Sequence, residues 1–400
     1  MLRSFHPHRF LVCLALGLLG VSLCAAPEAV RLGVLQAAPD RARELKLAGI
    51  SQAVLSVSWD RFEPSAGVPD QAYIRQLRAD VKAFHDAGLQ LVLDLGIQYP
   101  PAWLLVLPDA RYKNQYADAF VDHAPGMNVA NAVFNDVVRE HQAAYIASLF
   151  SELGTDWAGV RLGGGWYGEL NYPPAKFRDR TNCYWAFDAL AQGERPGLPA
   201  GITPCPVPGW KPGEPSAGQD SARRFIDWYL ASLQNYHDWQ ISTARRHYAG
   251  PLMMLYPSWG IRPGQLEAAI AGGLSGNTAP EKNGEIQRGF DFSRFIGGLR
   301  DPHVRVHCTW IDSNPEWSDE SSPDEARWSP VHYLSNLARR HVPPLAVSAE
   351  NTGGGGPPAL SLSAKRVRDL NIQIMFWAFA PDLFDGKPPD LKDLAPAFSP

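Results

Sequence analysis

The feature that most constrains this chain is an alternation. Eight short, nearly all-apolar runs recur along it, and segments with helical spacing or helix punctuation separate them. The runs are AVRLGVL (29–35), QAVLSVSW (52–59), LQLVLDLG (89–96), WAGVRLGG (157–164), PLMMLYPSW (251–259), VRVHCTW (304–310), PLAVSAE (344–350) and IQIMFWAF (372–379). Continuous apolarity, as opposed to strict apolar–polar alternation, marks strands buried on both faces, the condition of a parallel sheet covered by helices. Ile74, Leu77, Val81 and Phe84 recur at helical spacing within 70–88, and Phe134, Val138, His141, Tyr145 and Leu149 form one stripe over 131–154. A long helix is expected over 221–248, with shorter ones over 39–49, 263–272, 284–299, 324–341 and 359–370.

Eight strand–helix units close into a (β/α)8 TIM barrel. The competing open doubly wound sheet lacks its sign, since no Gly-x-Gly-x-x-Gly follows the first strand. The expected fold is therefore α/β: one TIM-barrel domain over 27–400, with a long Pro/Gly-rich loop running from strand four to about Ser216. Ahead of it, Arg3 and Arg9 precede an apolar stretch from Phe10 to about Leu23 and then small residues. That order is a signal peptide over 1–26, too short in its apolar part for a membrane span, and it implies a secreted or periplasmic protein with no stable membrane insertion after cleavage. Leu23 stands where lipid attachment at Cys24 wants a small residue.

Losing the leader removes Cys13 and Cys24 and leaves Cys183, Cys205 and Cys308. In an oxidising compartment three cysteines imply one pair and one thiol, and Cys183–Cys205, in one loop-like segment, is the expected disulfide. There is no Cys-x-x-Cys, no His-Glu-x-x-His and no clustered histidine, so neither a metal nor a cofactor is expected. A formal net charge of −4 without a Lys/Arg-rich run gives no footprint for nucleic acid. Thirteen Trp and thirteen Tyr supply rings that stack on the apolar faces of sugars, so a carbohydrate is the expected partner.

TIM barrels carry their chemistry at the C-terminal strand ends, which turns the strand map into a site map. It offers Asp60 after strand two, Trp103 after three, Trp166, Glu169 and Asn171 after four, and Tyr256 at the end of five. Trp310 follows strand six, Glu350 and Asn351 strand seven, and Trp377 strand eight. Several have plainer readings: Asp60 pairing with Arg61, Tyr256 filling space, Trp310 as core, Asp94 as a structural acceptor and His307 as a satisfied core histidine. No Gly-x-Ser-x-Gly occurs. Glu169 and Glu350 stand out, because strands four and seven end on opposing sides of a barrel mouth. Two carboxyls so placed meet the need of glycosidic hydrolysis, in which one protonates the leaving oxygen and the other, ionised, attacks the anomeric carbon or activates water.

This pair resembles the large clan of barrel glycoside hydrolases whose acid and nucleophile follow strands four and seven. GWYGELNYP (165–173) is similar to the acid motif of the β-amylase family, and AEN (349–351) to that family's base motif. WDRFEPSAGVPD (59–70) and YPPAWLL (99–105) look like segments of bacterial β-galactosidases of the same clan. The resemblance implies that Glu169 is the general acid/base and Glu350 the nucleophile or base, that Trp377 is a sugar-stacking platform, and that an oligo- or polysaccharide is cleaved. Retention, the broader clan's outcome, is favoured over inversion of the β-amylase kind. Gly168 stands where retaining members carry Asn, and GIQYPPAWL (96–104) replaces the β-amylase His-x-Cys-Gly-Gly run. A non-catalytic saccharide-binding barrel is the alternative, although such a module needs neither glutamate.

Overall fold

The computed structural model describes residues 30–122, 128–214 and 219–399. The expected leader over 1–26, with Cys13 and Cys24, lies outside them. Eight parallel strands form a closed barrel: β1 (Arg31–Val34), β2 (Gln52–Ser56), β3 (Gln90–Asp94), β4 (Gly159–Leu162), β5 (Leu252–Tyr256), β6 (Val304–Cys308), β7 (Val347–Glu350) and β8 (Ile374–Trp377). Each strand pairs with the next in sequence, and β8 closes on β1 with Val34 opposite Trp377. The TIM barrel expected from the alternation is the fold observed. Its strands are shorter than the apolar runs, because apolarity records burial and not pairing. Val57 and Trp59, for example, are buried beneath the turn that follows β2.

The helices form the outer layer: α1 (Ala42–Leu47), α2 (Gln71–Asp86), α3 (Asp136–Leu153), α4 (Gln219–Arg245), α5 (Gln265–Ala271), α6 (Phe292–Gly298), α7 (Pro330–Arg340), α8 (Gly356–Asp369) and α9 (Leu391–Ala397). Their starts follow from capping. The Asp70 carboxylate accepts from the Ala72 and Tyr73 amides at the head of α2, satisfying donors that the first turn leaves free. Asn135 does the same for α3 through Val138, so that helix begins after Phe134 although the apolar stripe starts there. The segment after β4 is packed and not merely decorative. Tyr172 stacks on Tyr229 of α4 with centroids 4.0 Å apart, and Tyr184 and Trp185 are fully buried. The Tyr229 hydroxyl donates to the Gln287 carbonyl (2.7 Å) and accepts from the Trp185 amide (3.2 Å).

Successive strand side chains point to opposite faces, so every second residue faces the lumen. Val54, Val92, Met253, Leu255, Ile374 and Phe376 fill it as an apolar cluster separate from the sheet–helix core. A Cβ at Gly33 would lie 2.4 Å from the Phe376 ring, which explains glycine there. The same parity carries Asp94, Arg161, His307 and Glu350 inward near the C-terminal ends. It turns Tyr256, Cys308 and Trp377 outward, into the sheet–helix core.

The disulfide does not form. Cys183, Cys205 and Cys308 are separate buried thiols. Each of the first two is held by its own neighbours: the Cys183 amide donates to Ala175 O (2.9 Å) and the Cys205 amide to Ala191 O (2.8 Å), while Asn114 Nδ2 lies 3.5 Å from Cys183 Sγ. Proximity along a loop does not bring two Cβ atoms to bridging distance. Burial pushes the Cys183 thiol up to about 11 and that of Cys308 up to about 12. Alkylation in denaturant without reductant, read by peptide mass spectrometry, is expected to label all three. Labelling of Cys308 alone would restore the bridge.

Candidate active site

Glu169 reaches the mouth through a folded-back glycine turn. The Gly164 amide donates to Gly168 O (3.1 Å) and the Gly165 amide to Glu169 O (2.8 Å). A Cβ at Gly163 would lie 2.3 Å from Gly168 O, and one at Gly165 2.5 Å from Asn171 O, so these glycines serve backbone-to-backbone approach. Asn171 closes the turn: its Oδ1 accepts from the Trp166 amide (2.8 Å) and its Nδ2 donates to Trp166 O (3.1 Å). The Glu169 carboxyl then meets Thr309 Oγ1, which donates to Oε1 at 2.7 Å, and Arg288 Nη2, 3.7 Å from Oε2. Burial pushes this carboxyl up to about 7, against the opposing pull of Arg288 and Thr309.

Glu350, the last residue of β7, is the reverse case. Arg161 of β4 grips it with Nη1 2.6 Å from Oε2 and Nη2 3.2 Å from Oε1. His307 of β6 adds Nε2 at 3.0 Å from Oε2. Burial alone would raise this carboxyl, but the Arg161 charge and the His307 hydrogen bond overcome it and hold Glu350 at about 2. Burial keeps His307 below its ordinary value. A neutral imidazole facing a carboxylate must donate from Nε2, which leaves Nδ1 to accept from Ser348 Oγ at 2.9 Å. Asp94 Oδ2 approaches Arg161 Nε at 3.9 Å, extending the network to β3. The mouth thus holds one carboxyl that keeps its proton near neutrality and one that stays ionised, with exposures of 17% and 10% for the two side chains.

An adjoining cleft of about 1050 Å³ runs from Trp166 and Arg288 past Trp259 and Trp310 to Trp317. Trp310 meets Trp259 and Trp317 edge-on, at 6.2 and 6.4 Å. Of the residues singled out in the sequence, Glu169, Trp166 and Asn171 sit together, Glu350 ends its strand in the lumen network, and Trp310 lines the cleft. Asp60 is exposed on the rim, bonded by Ser58 Oγ (2.5 Å), while Arg61 lies over Tyr73 instead of pairing with it. Trp103 is half-buried, donating to Glu63 O at 3.0 Å. Three residues are turned to other uses. The Tyr256 hydroxyl bonds His237 Nε2 at 2.9 Å behind the sheet, and not Glu350. Trp377 points outward and is 3% exposed, because Phe376 takes the lumen register. Asn351 is consumed by Ala378, accepting from its amide (2.7 Å) and donating to its carbonyl (3.0 Å).

Arg161, His307, Thr309 and Arg288 went unread as functional. Arg161 did carry a signal: a lone cation in the run VRLGG must find a buried partner on another strand. Arg288, in a loop after β5, carried none.

No protein-family profile and no curated protein matches the chain. Among solved structures it is similar to the catalytic domain of β-amylase from Paenibacillus polymyxa, with TM-score 0.65 and 15% identity over 94% of this chain and 98% of that one. It is also similar to β-galactosidases from Marinomonas ef1 (TM-score 0.55, 12% identity, 88% of this chain and 54% of that) and from Halorubrum lacusprofundi (0.50, 15%, 87% and 52%). The chain therefore spans about half the length of these galactosidases, and at such identities the likeness is one of fold.

The buried pair yields an expected outcome. Arg161→Met, which strands Glu350 in the lumen, should cost about 3–5 kcal/mol of unfolding free energy at pH 7 by urea titration. Glu350 lies below its ordinary value when folded, so the pair stabilises fully above the unfolded carboxylate range. That stabilisation fades as pH falls toward about 2, and the gap between wild type and variant should narrow with it. A loss under about 1 kcal/mol, the range of exposed pairs, would contradict the account.

Proposed function

We propose that this chain is an exported glycoside hydrolase that cleaves O-glycosidic bonds of an oligo- or polysaccharide with retention of anomeric configuration. The observation that carries the reading is the pair of buried mouth carboxyls in opposite surroundings: Glu169 with only Thr309 and a distant Arg288, which burial pushes up, and Glu350 gripped by Arg161 and His307, which hold it down. Two carboxyls held in opposite states supply an acid and a nucleophile at one pH. Similarity of fold to a β-amylase and two β-galactosidases supports the same reading. Export rests on the basic–apolar–small order of residues 1–26.

In the first step the protonated Glu169 gives its proton to the leaving-group oxygen. The glycosidic C–O bond breaks as a Glu350 oxygen bonds the anomeric carbon. In the second, Glu169, now ionised, takes a proton from water whose oxygen displaces Glu350. Retention is favoured by the low position of Glu350. Inversion would need Glu350 to take a proton from water, and a carboxylate gripped by Arg161 and His307 is a poor base; the same grip keeps it ionised to attack and lets it leave afterwards. Glu169, near 7, is matched to both roles, and Arg288 and Thr309 receive the charge it carries between steps.

Hydrolysis of a panel of aryl glycosides and polysaccharides should release a product of the substrate's own anomeric form, read by proton NMR immediately after mixing. The inverted anomer would refute the assignment of Glu350 as nucleophile. Glu169→Gln should lower kcat/KM on a natural glycoside by about 10²–10⁴ while circular dichroism stays unchanged. For the wild type, kcat/KM should fall above about pH 7, where free Glu169 loses its proton, and hold on the acid side until about pH 2 is approached. An alkaline limb that persists unchanged in Glu169→Gln would assign it to another group.

A further inference from the structure

The walls of the cleft beside Glu169 carry a charge opposite to that of the chain. Among the described residues its lining has five cations, Lys176, Arg178, Arg262, Lys282 and Arg288, and one carboxylate, Glu285. The whole chain has a formal net charge of −4. Two of the cations are engaged elsewhere. Arg178 is paired with Asp118 at 2.7 Å, and Arg262 spends its guanidinium on the carbonyls of Trp259, Glu325 and Trp328. Glu285 is the opposing charge: its oxygens accept from Ser258 Oγ (2.6 Å) and the Gly260 amide (2.8 Å), and it attracts Arg288 and Arg262, leaving the wall with an excess of cations.

Three cations remain. Lys176 and Lys282 are exposed on the cleft wall, and neither has a charged partner among the described residues. Arg288 lies deeper, its guanidinium carbon 5.2 Å from the Trp166 ring centroid and 4.6 Å from that of Phe290. Its Nε is buried without a hydrogen-bond partner among the described residues. Among the described residues its ionic contact, 3.7 Å long, is to Glu169, the carboxyl that must be neutral when it acts as an acid. In that state Arg288 keeps only the attraction of Glu285, with which it makes no ion-pair contact. A planar guanidinium against an aromatic wall suits a planar or tetrahedral oxyanion on a ring stacked there.

We propose that this cleft binds an anionic glycan, with a carboxylate or sulfate on a sugar of the leaving-group side seated between Trp166 and Arg288 and flanked by Lys176 and Lys282. The inference rests on the glycoside hydrolase reading and narrows its substrate to acidic polysaccharides. Arg288 contacts Glu169, and none of the three contacts Glu350, whose charge Arg161 already neutralises, so the anion is placed on the side of the departing sugar.

Calorimetric binding to the full chain carrying Glu169→Gln, which keeps the neutral shape of the acid, tests it without turnover. Two matched pairs of probes are used: oligogalacturonate against its methyl ester, and a sulfated galactan oligosaccharide against its desulfated form. One anionic member should bind at least about tenfold tighter than its neutral partner, and which pair responds tells carboxylate from sulfate. That advantage should shrink as NaCl rises from about 50 to about 500 mM. It should fall by about fivefold when Lys176→Ala and Lys282→Ala are added, with affinity for the neutral member unchanged. Equal or better binding of the neutral members, no binding of any anionic member, or an advantage untouched by the lysine changes overturns the proposal. Charge-selective binding by the wild type without cleavage of the bound glycan would instead refute the hydrolase reading and leave this one standing.

Discussion

The Arg161–Glu350 pair inside the barrel is the interaction on which the rest of the site depends. Both side chains project from strands into the lumen, where a buried charge without its partner costs several kcal/mol, so each depends on the other. Together they anchor a network that runs from Asp94 on β3 through Arg161 on β4 to Glu350 on β7, then to His307 on β6 and Ser348 on β7. Four strands far apart in sequence are thus tied at one level, just above the apolar plug of Val92, Leu255 and Phe376. The network fixes Glu350 as an anion. Glu169 has no bidentate partner, and its burial decides its state the other way.

The surroundings extend that asymmetry. Glycines let the turn after β4 fold onto itself, and Asn171 locks it, so Glu169 is placed by backbone contacts and not by a flexible arm. On the far wall of the cleft, the fully buried Arg366 of α8 holds the loop after β6. Its Nη1 donates to Ile311 O (2.7 Å) and Ser313 O (2.9 Å), and its Nε lies 2.9 Å from Glu320. That loop carries Trp310 and Trp317. The aromatic side of the cleft is therefore fixed by a cation from the helix that follows Glu350's strand, so Glu169, Glu350 and the aromatic wall sit on mutually braced elements.

The fold was legible in the sequence because parallel strands buried on both faces leave runs too apolar to mistake, and eight of them close. Glu169 and Glu350 were legible for the same reason: once strands are numbered, a carboxylate at a strand end has an address. The parity of a strand was not. Tyr256 and Trp377 end apolar runs as plausibly as any mouth residue, yet alternation sends them outward, and only the pairing of Glu350 with Phe376 shows which neighbour faces in. Asn351 failed differently, since its amide was needed by Ala378. His307 read as a satisfied core histidine and is one, but what satisfies it is Glu350. Cysteine spacing proved uninformative because Cys183 and Cys205 lie in a packed segment whose rings, not its chain length, decide which atoms meet.

Below about pH 7 the two carboxyls at the mouth hold different protonation states, Glu169 protonated and Glu350 ionised. The most direct measurement is carbon NMR of protein labelled at the glutamate δ-carbon, titrated from pH 3 to 9 without substrate. One resonance, absent in Glu169→Gln, should titrate near 7, and another, absent in Glu350→Gln, should keep the shift of a carboxylate throughout. Glu169 titrating in the ordinary carboxylate range, or Glu350 taking up a proton above about pH 4, would contradict it.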